Sequence, residues 1–88
     1  MIKLWGKLIN NNKILSQHVV VVNEAVDYEE ELKNCLIELC YHFDIQKPYW
    51  LRKNLIEYNK IKKTSFTQDN FIEEIKFERF EIEVLEEK

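Results

Sequence analysis

The chain has 88 residues, of which 45% are hydrophobic and 33% are charged, and its formal net charge is −3. This length allows one hydrophobic core and not two, and the hydrophobic fraction is too high for an intrinsically disordered chain. With one glycine in the whole sequence, a glycine-rich phosphate-binding loop of the P-loop or Rossmann kind is excluded. We therefore expect residues 1–88 to form a single domain.

The sequence contains no segment that is hydrophobic enough to predict export or insertion into a membrane. The longest uninterrupted apolar run is Val19 to Val22, far shorter than a signal-peptide core or a membrane span. Cys35 and Cys40 lie five residues apart in a predicted helix, where a disulfide between them is geometrically poor. We expect a cytoplasmic protein with reduced thiols and no membrane partner.

The first two predicted elements form a β-hairpin. Strand-like segments 2–9 and 13–22 flank three consecutive asparagines, and asparagine tolerates the left-handed backbone that tight hairpin turns need. The run Val19 to Val22 is apolar on both faces, which is typical of a strand covered on both sides. We therefore expect the second strand to lie in the middle of the sheet.

Two helices are predicted next. A stripe of apolar residues with three- and four-residue spacing predicts a helix from about Tyr28 to about His42, with Asp27 as its N-cap. The stripe consists of Tyr28, Leu32, Cys35, Leu36, Leu39, Cys40 and Phe43. Pro48 prevents extension of this helix, and a shorter amphipathic helix is predicted from Leu51 to Ile61.

The C-terminal part is predicted to be a loop followed by a strand. Residues 64–70 are mostly polar and are interpreted as a loop with one helical turn, for which Thr67 or Asp69 is a suitable N-cap. Phe80, Ile82 and Val84 alternate with Glu81, Glu83 and Leu85, which predicts a half-buried strand with one polar face. The predicted fold is α+β: a three-stranded, mainly antiparallel sheet, made of the hairpin and the C-terminal strand, covered by one long and one short helix in the order ββααβ.

The spacing of the candidate residues argues against a metal site and against a catalytic site. Cys35, Cys40, His42 and Asp44 are metal-ligand types, as is His18, but helical ligand pairs usually lie three or four residues apart and only Cys40 and Asp44 do. No nucleophile elbow surrounds a serine. We predict no catalytic residue, no metal site and no cofactor, and we rank enzyme activity below a binding role.

Five glutamates mark the C-terminal strand and its flanks. They are Glu78, Glu81, Glu83, Glu86 and Glu87. Read as a carboxylate site, they would bind a cation. We instead interpret them as a solvated face of a terminal strand that discourages pairing at a sheet edge.

A basic and aromatic segment is the clearest compositional asymmetry. Residues 47–63 contain six basic groups and one glutamate. The segments on either side are acidic: residues 24–44 contain seven acids and one lysine, and residues 69–88 contain eight acids and three basic groups. The candidate partner-binding residues are Tyr49, Trp50, Arg52, Lys53, Lys60, Lys62 and Lys63. Three accounts stay open: intramolecular charge balance, an acidic protein partner, and a nucleic acid bound by phosphate contacts and base stacking. Trp50 is either a wedge between the helices or an exposed anchor.

Three stretches resemble a small family of proteins from clostridial-type bacteria whose function is unknown. They are Trp50-Leu-Arg-Lys-Asn-Leu-Ile-Glu-Tyr, Lys62-Lys-Thr-Ser-Phe-Thr-Gln-Asp-Asn-Phe-Ile-Glu and Phe77-Glu-Arg-Phe-Glu-Ile-Glu-Val. The resemblance extends over nearly the whole chain. It implies a bacterial cytoplasmic origin and implies no activity, cofactor or partner.

The sequence therefore favours a binding role over catalysis. We predict a small protein-interaction or homo-oligomeric accessory domain, with a protein partner or a second copy as the ligand. The alternative is a nucleic-acid-associated protein that uses the basic-aromatic segment 47–66. Salt sensitivity of binding would distinguish the two, because phosphate contacts weaken steeply with salt.

Overall fold

The computed structural model describes residues 1–24 and 26–88. Within them the chain forms strands β1 (Ile2–Asn10), β2 (Lys13–Val22), β3 (Lys63–Phe66) and β4 (Arg79–Glu87), helices α1 (Tyr28–Phe43) and α2 (Arg52–Ile61), and a short 3₁₀ turn at Gln68–Asn70. The four strands form one antiparallel sheet in the order β2-β1-β4-β3. The predicted α+β class is confirmed, with one strand more than expected.

The asparagine hairpin forms as predicted. Asn11 and Asn12 both have left-handed backbone angles, with φ of 52° and 62°. Positive φ at both central residues defines a type I′ turn, whose twist matches that of the strands it joins. The turn pairs Asn10 with Lys13, and a one-residue register shift between Leu8 and Ile9 then brings Trp5 opposite Val19.

The expectation that β2 lies in the middle of the sheet is wrong. β2 is an edge strand, and β1 and β4 occupy the two central positions. Val20 and Val22 pack under α1 at 6% and 4% exposure, whereas Val19 and Val21 on the opposite face are 40% and 56% exposed. The valine run is therefore apolar on both faces although the structure covers only one of them.

The polar stretch after α2 contains a strand that the sequence interpretation treated as loop. β3 pairs with β4 over four residues, from Lys63 opposite Glu83 to Phe66 opposite Phe80. Because β3 takes the outer position, β4 is central, and the interpretation of its glutamates as protection of a sheet edge is also wrong. The predicted helical turn is present as the 3₁₀ turn that follows β3.

The core lies between the helices and one face of the sheet. From the sheet, Ile2, Leu4, Phe80 and Ile82 are at most 1% exposed, and Leu39 of α1 is fully buried against them. α1 approaches the sheet closely over Gly6: a Cβ there would lie 2.9 Å from Leu39 Cδ2 and 3.2 Å from Phe80 Cε1. The single glycine of the chain therefore lies where α1 packs closely on the sheet.

Both ends of α1 are defined by local chemistry. The Asp27 side chain accepts a 2.9 Å hydrogen bond from the backbone N–H of Glu30, as predicted for its N-cap. At the other end Asp44 adopts a left-handed conformation, and its N–H donates to the last turn of the helix. Leu36, Leu39, Cys35 and Cys40 of the predicted stripe are buried, so the predicted face of α1 is the one that packs.

No helix in residues 1–24 and 26–88 has both the length and the apolar character needed to span a bilayer.

Candidate functional site

The basic-aromatic segment begins with an aromatic cluster. The Trp50 ring lies edge-on to Tyr58 of α2 at 5.6 Å and to Phe66 of β3 at 5.1 Å between ring centroids. It is half-buried and packs against the core. Trp50 therefore packs against the core, but its aromatic partners belong to α2 and β3 and not to the two helices of the predicted wedge. Tyr49 beside it is 56% exposed.

The segment is held in place by a buried polar network. Asn54 of α2 donates to Thr64 Oγ1 and to the Ser65 carbonyl, both at 2.9 Å, and accepts from Asn70 Nδ2 at 2.8 Å. Asn70 also donates to the Tyr49 carbonyl at 2.7 Å. Because Asn54 and Asn70 are at most 1% exposed, these bonds replace those to water and fix the approach of residues 49 and 50 to α2.

The last two lysines of the segment point to different surfaces. Lys62 ends α2 with a φ of 57°, and its Nζ lies 5.0 Å from the Tyr28 ring centroid. Lys63 faces the open side of the sheet, where its Nζ lies 3.7 Å from Glu81 Oε1. Neighbouring lysines therefore do not form one patch, and Lys63 takes part in intramolecular charge balance.

The other basic candidates are solvent-exposed. Arg52, Lys53 and Lys60 lie on α2, and in the described part of the chain none of them lies within 4 Å of a carboxylate oxygen. The geometry therefore brings Arg52 and Lys53 together at the start of α2 and separates them from Lys62 and Lys63. The predicted set of seven residues is distributed over several surfaces.

The open face of the sheet carries a compact charge network. Lys7 Nζ lies 2.7 Å from Glu81 Oε2, 3.6 Å from Glu83 Oε1 and 3.8 Å from the Trp5 ring centroid. Burial alone would raise the pKa of Glu81, but the hydrogen bond and charge of Lys7, helped by Lys63, outweigh it and lower that pKa below its usual value. The charges on this face satisfy one another, so the face does not present a single-sign surface to a ligand.

The two thiols are buried in the core as predicted. Cys35 is fully buried and Cys40 is 3% exposed, and burial raises their pKa values to about 11 and about 12. Thiols with so little thiolate are poor nucleophiles and poor metal ligands. Across residues 1–24 and 26–88 no group of three or more histidine, cysteine or acidic side chains is arranged to hold a metal ion.

The feature that the sequence interpretation missed is the exposed edge of β2. From Ile14 to Val22 this strand contains no charged residue, no glycine and no proline. Its exposed apolar side chains are Ile14 at 48%, Leu15 at 57%, Val19 at 40% and Val21 at 56%. An edge strand leaves alternate N–H and C=O groups without a partner strand, and protected edges usually carry charge, proline or only short strands. Apart from Lys13 at its first position, β2 has none of these.

The opposite edge of the sheet is protected. β3 is only four residues long and includes Lys63, and short charged edge strands discourage pairing with another chain. The molecule therefore has one protected edge and one long, uncharged edge.

A groove runs beside the β2 edge, between that strand and α1. It has a volume of about 560 Å³ and is lined by His18, Val20, Ile37, Glu38, Tyr41 and His42. Tyr41 is 88% exposed and Ile37 is 38% exposed. The His18 and His42 rings stack at 3.7 Å and join the strand to the helix at the floor of the groove.

An unpaired edge with an apolar groove beside it fits one known mode of recognition. In β-strand addition, an extended segment forms backbone hydrogen bonds with the edge and places alternate side chains in neighbouring pockets. The signal was present in the sequence as a nine-residue run without charge. An apolar run predicts a central strand, because the run alone does not distinguish a strand covered by the rest of its own chain from one covered by a partner.

Comparisons of the chain with protein-family models, with curated proteins and with solved structures found no match. The resemblance to proteins of clostridial-type bacteria, and the bacterial cytoplasmic origin that it implies, therefore stay predictions.

Proposed function

We propose that this chain is a small protein-interaction domain that self-associates by pairing β2 with β2 of a second copy. The observation that carries the proposal is the uncharged run from Ile14 to Val22 in β2, whose outer edge pairs with no other strand in the described part of the chain. Antiparallel pairing about a two-fold axis would join two four-stranded sheets into one sheet of eight strands. Such a symmetric interface uses the same patch on both copies.

The chemistry of the edge supports a second copy as its partner. The antiparallel register that pairs Ile14 with Val22 places uncharged side chains opposite uncharged side chains throughout residues 14–22, so self-pairing brings no like charges together. Nine residues of β-strand extend about 30 Å, close to the 36 Å longest dimension of the molecule. The contact would therefore run along most of one side of the domain.

The groove beside β2 adds apolar contact to the backbone pairing. Side chains on the helix side of the incoming strand would lie against Ile37 and Tyr41 of α1, which are exposed in the single copy. On the open face, Val19 and Val21 would meet the corresponding side chains of the partner. Burial of these apolar groups contributes most of the free energy of association, because backbone hydrogen bonds formed in exchange for bonds to water contribute little net free energy.

The substitution Val21→Glu tests the proposal with little risk to the fold. Val21 is 56% exposed, and its cross-strand neighbour is Lys3, so a glutamate there gains an oppositely charged neighbour within the same copy. In the dimer the same glutamate would enter an apolar contact. We expect the wild-type chain to sediment as a dimer and Val21→Glu to raise the dimer dissociation constant by about ten-fold or more.

Ile56→Glu is the matched control for this measurement. Ile56 is 58% exposed and lies on α2, away from the β2 edge, so the change in charge and hydrophobicity is the same. We expect Ile56→Glu to dimerise like the wild type. A wild-type chain that is monomeric at every concentration, or a control that dissociates as readily as Val21→Glu, would overturn the proposal.

Association with nucleic acid through the basic-aromatic segment 47–66 is the alternative, and less supports it. Trp50 stacks inside the protein and Lys63 lies among carboxylates, which leaves Arg52, Lys53 and Lys60 as the exposed basic groups of α2. Steeply salt-dependent binding of an oligonucleotide, weakened by Arg52→Ala together with Lys53→Ala, would favour this alternative.

A further inference from the structure

A second cavity lies at the opposite end of the sheet from the start of α1. It is formed between the C-terminal end of α1, the hairpin end of β1 and β2, and residues 71–77, and its volume is about 410 Å³. Its apolar lining consists of Leu8, Leu15, Phe43, Ile45, Ile75 and Phe77, together with Phe71. This volume and composition are typical of sites for small organic molecules.

The wall of this cavity is fixed by two glutamine side chains. Gln68 donates to the Glu73 carbonyl at 2.8 Å and accepts from the Ile75 N–H at 2.9 Å. From the other side, Gln46 accepts from the Glu73 N–H at 3.2 Å. Because the irregular segment is already held in place, a ligand would bind without a large ordering cost.

The rim of the cavity is acidic. It carries the carboxylates of Asp44, Glu73 and Glu74 and one basic group, Lys76. In the described part of the chain, no basic group lies within 4 Å of these three carboxylates, whereas Glu81 and Glu83 have such partners. Asp44 also stands at the C-terminal end of α1, where the helix dipole adds partial negative charge.

The geometry points to a binding site for a small organic cation, with an aromatic or branched apolar body and an ammonium head group. The apolar body occupies the space between Phe43, Ile75 and Phe77, and the head group lies at the rim among the carboxylates. Neither an anion nor a neutral molecule of the same shape gains the interaction with the rim. This site shares Leu15 with the proposed dimer contact but differs from it in chemistry, since its rim carries three carboxylates and the β2 edge from Ile14 to Val22 carries none.

The test uses three probes with the same aromatic body: phenethylamine, phenethyl alcohol and hydrocinnamate. Titrations followed by the amide resonances of the full-length protein report both affinity and location. We expect saturable shifts at residues 43–46 and 71–77 for the amine, weaker binding for the alcohol and the weakest for the carboxylate. Raised salt should weaken the amine alone, because it screens exposed charges.

A pair of double variants separates the role of the rim from that of net charge. Glu73→Gln with Glu74→Gln should weaken amine binding by about three- to ten-fold and leave alcohol binding unchanged. Glu30→Gln with Glu86→Gln changes the net charge equally at exposed positions elsewhere and should leave the amine affinity unchanged. Equal affinity for all three probes, shifts located outside the cavity, or equal effects of the two double variants would overturn the inference.

Discussion

Lys7 and Glu81 illustrate how single charged residues are held on the open face of the sheet. Their side chains are 8% and 12% exposed and lie in direct contact. The surrounding Trp5, Glu83 and Lys63 side chains cover them, so the pair is far less hydrated than an ordinary surface ion pair. Burial itself opposes both charges, but loss of one partner leaves the other poorly solvated and without its counter-charge, which makes that loss costly.

This arrangement predicts how stability depends on pH. The folded-state pKa of Glu81 lies below its ordinary value of 4.5, so the pair contributes fully above about pH 4.5 and its contribution is lost as pH falls through the lower folded pKa. Glu81→Gln should cost about 1.5–3 kcal/mol of unfolding free energy at neutral pH. The difference from wild type should shrink in acid, as urea unfolding at both conditions would measure.

Glu83→Gln provides the comparison at a more exposed position. Glu83 is 33% exposed and lies 3.6 Å from Lys7 Nζ, farther than Glu81. We expect a smaller loss than for Glu81→Gln. Equal losses, or a Glu81→Gln deficit that persists unchanged in acid, would show that the charge of Glu81 does not stabilise the fold.

At the scale of elements, α2 depends on polar contacts more than on apolar burial. Its buried residues are Asn54 and Tyr58. The Asn54 side chain accepts from the Leu51 N–H at the start of the helix at 3.1 Å and donates to Thr64 and Ser65 of β3. One side chain thus caps the helix and attaches it to the sheet.

Asn54→Ala is therefore expected to destabilise the protein by about 1–3 kcal/mol, because it removes the buried hydrogen bonds of Asn54 to Thr64, Ser65 and Asn70. Chemical unfolding followed by Trp50 fluorescence in a Trp5→Phe background would measure the loss. Asn59→Ala on the exposed side of the same helix is the control and should have little effect. If both substitutions cost the same, the buried network contributes no special stability.

Some elements of the fold are predictable from the sequence and others are not. The hairpin, α1 and β4 follow from local signals: asparagines at a turn, a helical stripe with an N-cap, and strict alternation. β3 has no such signal, because its four residues form a strand only through pairing with β4. The strand order has no local signal either, and so the positions of β2 and β4 were assigned wrongly.

The candidate sites are less predictable from the sequence than the helices and strands are. The composition of the sequence identifies the basic segment. The left-handed backbone at Lys62 then directs the side chains of Lys62 and Lys63 to different surfaces. The β2 edge required knowledge of which strand is outermost. The acidic-rimmed cavity combines residues from β1, β2, the end of α1 and the segment 71–77, and long-range proximity of this kind is not visible in spacing along the chain.

At the scale of the whole molecule, the two sides of the domain differ in their ability to pair with other chains. One edge of the sheet is short and charged, and the other is long, has no charged residue from Ile14 to Val22 and is flanked by a groove. With a net charge of only −3, repulsion between copies is weak. The asymmetry explains why we expect a closed dimer through β2 rather than a chain of copies joined at both edges.

Amide hydrogen exchange along β2 tests this central claim most directly. In a single copy, alternate N–H groups of β2 point away from β1 and exchange quickly, whereas pairing with a second copy would give them hydrogen-bond acceptors. We predict that these amides of residues 14–22 are protected at high protein concentration, and that they lose protection on dilution and in Val21→Glu. Rapid exchange of the same amides at every concentration would contradict the account.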